Sequence, residues 1–288
     1  MTLPPSDDWP RRVTILGVGL LGGSVAMAIK RRCPTTELVG YSRTKVKRDL
    51  AVGHGAVDRT ADSIEEACQG AEVVVVASLV DHIAAMAITA AEATPPDCLI
   101  TDVGSTKATI VDAVAEHKLA SRKFLAAHPI AGSEKTGVTN ATESLFDDKV
   151  IVLTPTTDST SDLTDKAERF WALTGGKIVR LSPQDHDAYL AAVSHVPHLM
   201  SAAVCRLLPE DAQSLVGSGW RDITRVAAGD PALWTAICRE NRLAICRELE
   251  CLIGDVQQLE RLLESGNDEA LHNWLAAAKV NKDNVDRS

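Results

Sequence analysis

Three stretches of this 288-residue chain place chemically capable side chains at defined spacing. The first, AHPIAGSEKTG at 127–137, closes an apolar run with His128. An imidazole titrates near neutrality, so at a strand end it suits taking a proton from an alcohol whose carbon loses hydride. Pro129 biases His128 toward an extended backbone, and Gly132 permits the turn that follows. Taken alone, a strand-end histidine is more often structural, and its surroundings must decide.

The second stretch, VTILGVGLLGGS, holds Gly17-x-Gly19-x-x-Gly22 after a β-branched run and before SVAMAIKRR. The first glycine makes a tight turn, the second lets the backbone approach a pyrophosphate, and the third lets helix meet strand. Leu20, Leu21 and Gly22 then open a helix whose free N–H groups and positive dipole end suit phosphates. An NAD site usually ends its second strand in Asp or Glu. Here VGYSRTKVKR puts Ser42 in that position and Arg43 next, with Glu37 too early. Losing the carboxylate removes repulsion against a 2′-phosphate, which Arg43 and Lys45 are suited to pair with. NADP is favoured, and NAD stays possible.

The third region holds SHVPH, with His195 and His198, and RDITR, with Arg221 and Arg225 one helical turn apart. The histidines read only weakly as a metal pair, because H-E-x-x-H and a third clustered ligand are absent; no metal is expected. The arginines, with Asp222 between them, also fit a surface ion-pair face. QDHD at 184–187 reads as a polar helix start, and His54, His82, His117 and His272 as residues of solvated faces.

The elements that must position these residues change character once. To about residue 182, β-branched runs alternate with helical stretches: VTIL at 13, LVGY at 38, VVVVAS at 73, CLITDV at 98, FLAAHPI at 124, VIVL at 150 and KIVRL at 177. This alternation predicts right-handed βαβ units and a mostly parallel sheet, an α/β Rossmann domain over 1–182. Substrate chemistry then belongs at the carboxyl ends of the strands, where TDVGSTK (101–107) and AHPIAGSEKTG both fall. From Pro183 the pattern is helical, predicting an all-α dimerisation domain over 183–288. A helix from near Pro231 to Glu264 is expected, long enough to imply burial against a twin subunit and a homodimer.

A net charge of −9 argues against nucleic acid or an anionic membrane as the main partner, while leaving small anionic ligands open. Seven cysteines without a C-x-x-C pair read as reduced thiols of an intracellular protein. The N-terminal MTLPPSDDWPRR lacks an apolar signal core, so a cytoplasmic location is expected. The longest uncharged run, 188–205, contains two histidines and a proline and reads as a buried helix rather than a membrane span.

Taken in order, GVGLLGGS, TDVGSTK, HPIAGSEKTG, SHVPH and GSGWRDITRVAAGDP resemble the prephenate/arogenate dehydrogenase family of tyrosine biosynthesis over nearly the whole chain. The resemblance implies oxidative decarboxylation of a cyclohexadienol carrying a ring carboxylate and a side-chain carboxylate. It implies His128 as the catalytic residue accepting the ring hydroxyl's proton, and Ser105 bonding both that hydroxyl and His128. Arg225 would clamp a substrate carboxylate, His198 and Arg221 would line the side-chain end of the pocket, and Glu134 would gate it or make a polar contact. Many members read TPV where this chain has ASLV at 77–80, which leaves open the cofactor contacts there, Ser78 among them. The competing readings are another dehydrogenase with a helical dimer domain, which would usually rely on a lysine, and a nucleotide sensor without turnover.

Overall fold

The computed structural model describes residues 9–131 and 135–286. The strands are β1 Arg12–Leu16, β2 Glu37–Tyr41, β3 Arg59–Thr60, β4 Val73–Val76, β5 Leu99–Asp102, β6 Ala127–Pro129, β7 Val150–Leu153 and β8 Lys177–Arg180. Between them run α1 Leu20–Arg32, α2 Lys45–Gly53, α3 Ile64–Cys68, α4 Val80–Ala93, α5 Ala108–Ala115, α6 Lys118–Ser121 and α7 Ser161–Ala172. The helices α8 Pro183–Leu190, α9 Val196–Arg206, α10 Ser218–Thr224, α11 Pro231–Glu240, α12 Arg242–Ser265 and α13 Asp268–Val285 follow.

The first five strands form a parallel sheet ordered β3-β2-β1-β4-β5. Successive connections leave β1 on opposite sides, so the switch point lies between β1 and β4, where α/β sheets bind ligands. β4 is four valines, all fully buried, as a strand covered on both faces requires. Val73 and Val75 pack with Val13, Ile15 and the α1 residues Val25 and Ile29. Val74 and Val76 pack with Leu16 and the α4 residues Ile83 and Ala87. The sheet continues through an Ile100–Phe124 bridge toward a second set, β6-β7-β8. There β6 runs antiparallel to β7, with His128 opposite Val152, and β7 runs parallel to β8.

Each expected strand forms. The two-residue β3 had no β-branched run to announce it; it pairs with Val39 and Gly40. The long helix expected from Pro231 is broken at Asn241, which leaves helical geometry at φ −106° and ψ 28°. Its buried amide nitrogen donates to the Asp187 carbonyl at 2.7 Å and to His195 Nδ1 at 3.1 Å. These tertiary bonds override helix propensity. By packing, the chain forms two compact units, one ending at Asn241 and the other starting at Arg242. In the second, α12 and α13 pack together and Trp274 Nε1 donates to Asp255 Oδ1 at 3.2 Å.

Pro183–Arg206 is one continuous helical run, long and apolar enough to cross a membrane by length and composition alone. The run 188–205 within it reads from the sequence as a buried helix. Only one face is buried, and that face carries His186, Asp187, His195 and His198.

Candidate active site

At the switch point the chain leaves β1 through Gly17 at φ +105°, where a Cβ would stand 2.0 Å from the Ala77 carbonyl oxygen. Gly22 is equally constrained, its Cβ position 2.2 Å from the Gly17 oxygen. Gly19 differs: nothing lies within 4 Å of where its Cβ would be. α1 begins immediately after it with no side-chain cap and no acidic residue in the first turn. Two glycines therefore close the turn, while the third leaves open space before uncapped helix N–H groups, at Leu20 and Leu21 among them. This fits a dinucleotide's pyrophosphate.

Ser42, at the end of β2, is buried, and its Oγ accepts from Val18 N at 3.3 Å. Lys45 is engaged with Asp49 one turn along α2, and Arg48 donates to the Ser42 carbonyl at 2.9 Å and to Asp62. Arg43 is exposed and makes no hydrogen bond or ion pair among the described residues. Glu37 is taken up by Arg12 and Arg59. Ser78 is half-buried and follows Ala77, the residue after β4 that packs against Gly17 and Gly22.

A second construction begins at the end of β5. Asp102 and Lys107 are wholly buried and paired with each other. Between them they hold both backbone groups of one residue: Asp102 Oδ1 accepts from Ala127 N at 2.9 Å, and Lys107 Nζ donates to the Ala127 carbonyl at 2.8 Å. Burial lowers the Lys107 pKa, opposed by the Asp102 carboxylate. Removing one partner of such a pair typically costs about 3–5 kcal/mol. The clamped residue is the one preceding His128, so the pair sets where that imidazole starts.

His128 is half-buried, and its Nδ1 lies 2.8 Å from His186 Nε2. His186, fully buried, places its Nδ1 2.8 Å from Asp187 Oδ1. The Asp187 carboxylate also accepts from Lys107 N at 2.8 Å and Ala108 N at 2.9 Å, closing the start of α5. Burial, with His186, Lys107 and His195 nearby, holds the His128 imidazole well below its usual range. Burial lowers His186 as well, against the pull of Asp187.

Between α8 and α9 lies a single π turn, Ala191–His195, in which Val196 N bonds the Ala191 carbonyl. Nine residues separate His186 from His195. In an uninterrupted helix at about 100° per residue they would project to opposite sides. The wider turn takes back about one residue's rotation, as π bulges at functional sites do. His195 thereby reaches Asn241, which also holds the Asp187 carbonyl. Burial pushes His195 down to about 4. His198, one turn on, is stacked on Trp234 with ring centroids 3.4 Å apart. Gly229 makes that stack possible, since a Cβ there would stand 2.4 Å from Trp234 Nε1.

Arg225 directly follows α10 and opens a short 3-10 turn that packs on α9, with Ala227 N donating to Ser201 Oγ at 3.1 Å. Arg221 and Arg225 are both exposed, and neither makes an ion pair with Asp222 or another described residue. Ser105 is half-buried in the loop between Asp102 and Lys107. Its neighbour Thr106 has a buried hydroxyl without a hydrogen-bond partner among the described residues. Glu134 lies outside the described residues. The structure thus links His128, His195 and His198 through His186, Asp187, Asn241 and Trp234. It records no direct bond from Ser105, Arg221 or Arg225 to that group.

Sequence reasoning missed His186 and Asp187, which QDHD presented as a polar helix start. Ser182 does cap α8, accepting from Asp185 N, so that reading holds for one half of the tetrapeptide. A spacing of 58 residues separates His186 from His128, and no local pattern reports it. Among the described residues no group of three or more His, Cys, Asp or Glu side chains is arranged to hold a metal ion.

Residues 25–180 match the family model for the prephenate dehydrogenase nucleotide-binding domain, and residues 182–277 that for the prephenate dehydrogenase dimerization domain. The prephenate dehydrogenase of Bacillus subtilis is 32% identical over 281 residues, which cover 95% of this chain and 76% of that protein. Among solved structures, prephenate dehydrogenase from A. aeolicus in complex with hydroxyphenyl propionate and NAD+ superposes with a TM-score of 0.88 at 28% identity, covering 96% of this chain and 98% of that one. Synechocystis arogenate dehydrogenase superposes with a TM-score of 0.81 at 28% identity, covering 95% and 99%. On the match of both domain models and these relatives, the chain belongs to the prephenate dehydrogenase family.

Proposed function

We propose that this chain oxidises and decarboxylates prephenate to 4-hydroxyphenylpyruvate in tyrosine biosynthesis. The observation that carries this reading is the half-buried His128, kept neutral and bonded through Nδ1 to a second buried histidine. A nicotinamide cofactor, when bound, supplies the hydride acceptor. The Gly17–Gly22 turn would hold its pyrophosphate, Ser42 and Arg43 its adenosine ribose, and Ser78 and Ser105 would complete the contacts. Ser42 in place of a carboxylate, with Arg43 exposed and unpaired among the described residues, supports NADP over NAD.

His128 takes the proton of the ring hydroxyl as that carbon loses hydride and the ring carboxylate leaves as carbon dioxide. The new aromatic ring supplies the driving force, so the protein needs alignment and one base rather than a strong nucleophile. Ser105 aligns the hydroxyl with His128. Arg225 clamps a carboxylate bidentately, with His198, Arg221 and Glu134 around the side-chain end. Exposed Ile253, Val256 and Leu263 on α12 and Leu275, Val280 and Val285 on α13 support a homodimer through the helical domain. A cytoplasmic location is part of this reading.

The second reading is arogenate dehydrogenation to tyrosine, supported by the likeness to the Synechocystis enzyme. Prephenate is preferred because the exposed cations Arg221 and Arg225 suit carboxylates and build no site for an ammonium. The deciding experiment follows reduced-cofactor absorbance with prephenate and arogenate against NAD and NADP. Turnover with prephenate and NADP is the expected result. Silence in all four, from protein that still binds cofactor, would overturn the reading.

A further inference from the structure

The line from His128 to Asp187 fixes where each proton sits. Both Asp187 oxygens are committed to backbone donors, Oδ1 to Lys107 N and Oδ2 to Ala108 N. Toward His186 Nδ1 the carboxylate is therefore an acceptor, and that nitrogen carries hydrogen. A neutral His186 then offers a lone pair at Nε2, and His128 Nδ1, 2.8 Å away, must be the donor. What is left to His128 is the lone pair on Nε2. The charged and titratable groups facing this line are accounted for. Lys107 is paired with Asp102, and His195 uses Nδ1 to accept from the Asn241 amide.

We propose that His186 and Asp187 are positioning residues that select the His128 tautomer with a basic Nε2 and receive the charge generated at it. The substrate's hydroxyl proton binds His128 Nε2, and the Nδ1 proton crosses to His186 Nε2. The positive charge comes to rest on His186 beside Asp187, and the return of both protons resets the line. No electrons move in this relay; the hydride leaves separately with the cofactor. The assignment rests on the dehydrogenase reading for its substrate proton, though not for its tautomer.

The test combines kinetics with ring-nitrogen NMR on the whole protein labelled with 15N-histidine. The His128 signals are identified by their loss in His128→Asn. In the wild type, neutral His128 is expected to carry hydrogen on Nδ1. His186→Asn, which accepts from Nδ1 but relays nothing, is expected to lower kcat by about a hundredfold with substrate KM little changed. Asp187→Asn, which loses the ionised acceptor, is expected to shift His128 toward the Nε2–H tautomer.

Hydrogen on His128 Nε2 in the wild type would overturn the proposal, as would wild-type kcat in His186→Asn. If His186→Asn does not fold, the wild-type spectrum still decides the tautomer. If the wild type turns over no substrate, the functional reading fails, while the spectrum still tests the assignment.

Discussion

The two constructions at the carboxyl edge of the sheet are made of different material. The turn from Gly17 to Gly22 is backbone: a positive φ, two close approaches and a helix start without a side-chain cap. The line through His128 is side chain. It draws on β6, on the buried Asp102–Lys107 pair and on two adjacent residues of α8, with Asn241 tying in His195. The first is damaged by adding an atom and the second by removing a link. Backbone sites of this kind hold a ligand whatever the neighbouring side chains, whereas the histidine line depends on every member.

That contrast is tested most sharply at its reactive end. His128→Asn is expected to lower kcat by at least about a hundredfold with cofactor affinity little changed, read by steady-state rates and cofactor titration. An unchanged rate would remove the histidine from the chemistry. Arg225→Ala is expected to raise substrate KM by about ten- to a hundredfold, in line with loss of a charged hydrogen bond. Equal KM values would point to a different carboxylate partner.

The backbone turn gives a paired prediction. Gly17→Ala, at φ +105° and against the Ala77 carbonyl, is expected to lower the melting temperature. Gly19→Ala meets open space, so it should melt as the wild type does while binding cofactor about tenfold more weakly, the equivalent of about 1.4 kcal/mol. Equal cofactor affinity in Gly19→Ala would mean the open space is not the pyrophosphate site.

Acid separates the two regions as well, because only one is built on imidazoles. His195 falls from its usual value to about 4 on folding. Between the two values the unfolded chain binds the extra proton, so stability is complete above about pH 6.5 and declines as pH falls toward about 4. The loss is of order 3 kcal/mol for this residue, to be read from melting temperature against pH. A flat profile over that window would place His195 in contact with water. The smallest effect belongs to the ribose end, where Arg43→Ala is expected to raise KM for NADP several-fold and leave NAD unchanged.

The same contrast explains what could be read before the fold was known. The glycine turn was legible because its three glycines fall within six consecutive residues and the spacing alone assigns each a separate role. β4 was legible because four valines in a row suit only a strand covered on both faces. His128 was singled out by its place at a strand end, yet its partner was not. His186 looks like any polar residue in the first turn of a helix until the chain folds back 58 residues to meet it. The break at Asn241 was hidden for the same reason, since its cause is a carbonyl and an imidazole on another helix. Periodicity reports what a residue does for its own element and is silent on what it does for a distant one.

The π turn at Ala191–His195 carries a consequence for descent. A register offset of this sort depends on one extra residue in the run, so it enters or leaves a lineage chiefly through gain or loss of a codon. Substitutions can erode His195 or His198 one at a time, and the helix will still present whatever stands there to the same side. Deleting a single residue within the turn would remove the extra residue and its compensating wide turn together, giving a regular helix whose later side chains keep their side. Relatives with a regular helix one residue shorter over Pro183–Arg206 should therefore present the same side chains to the same side.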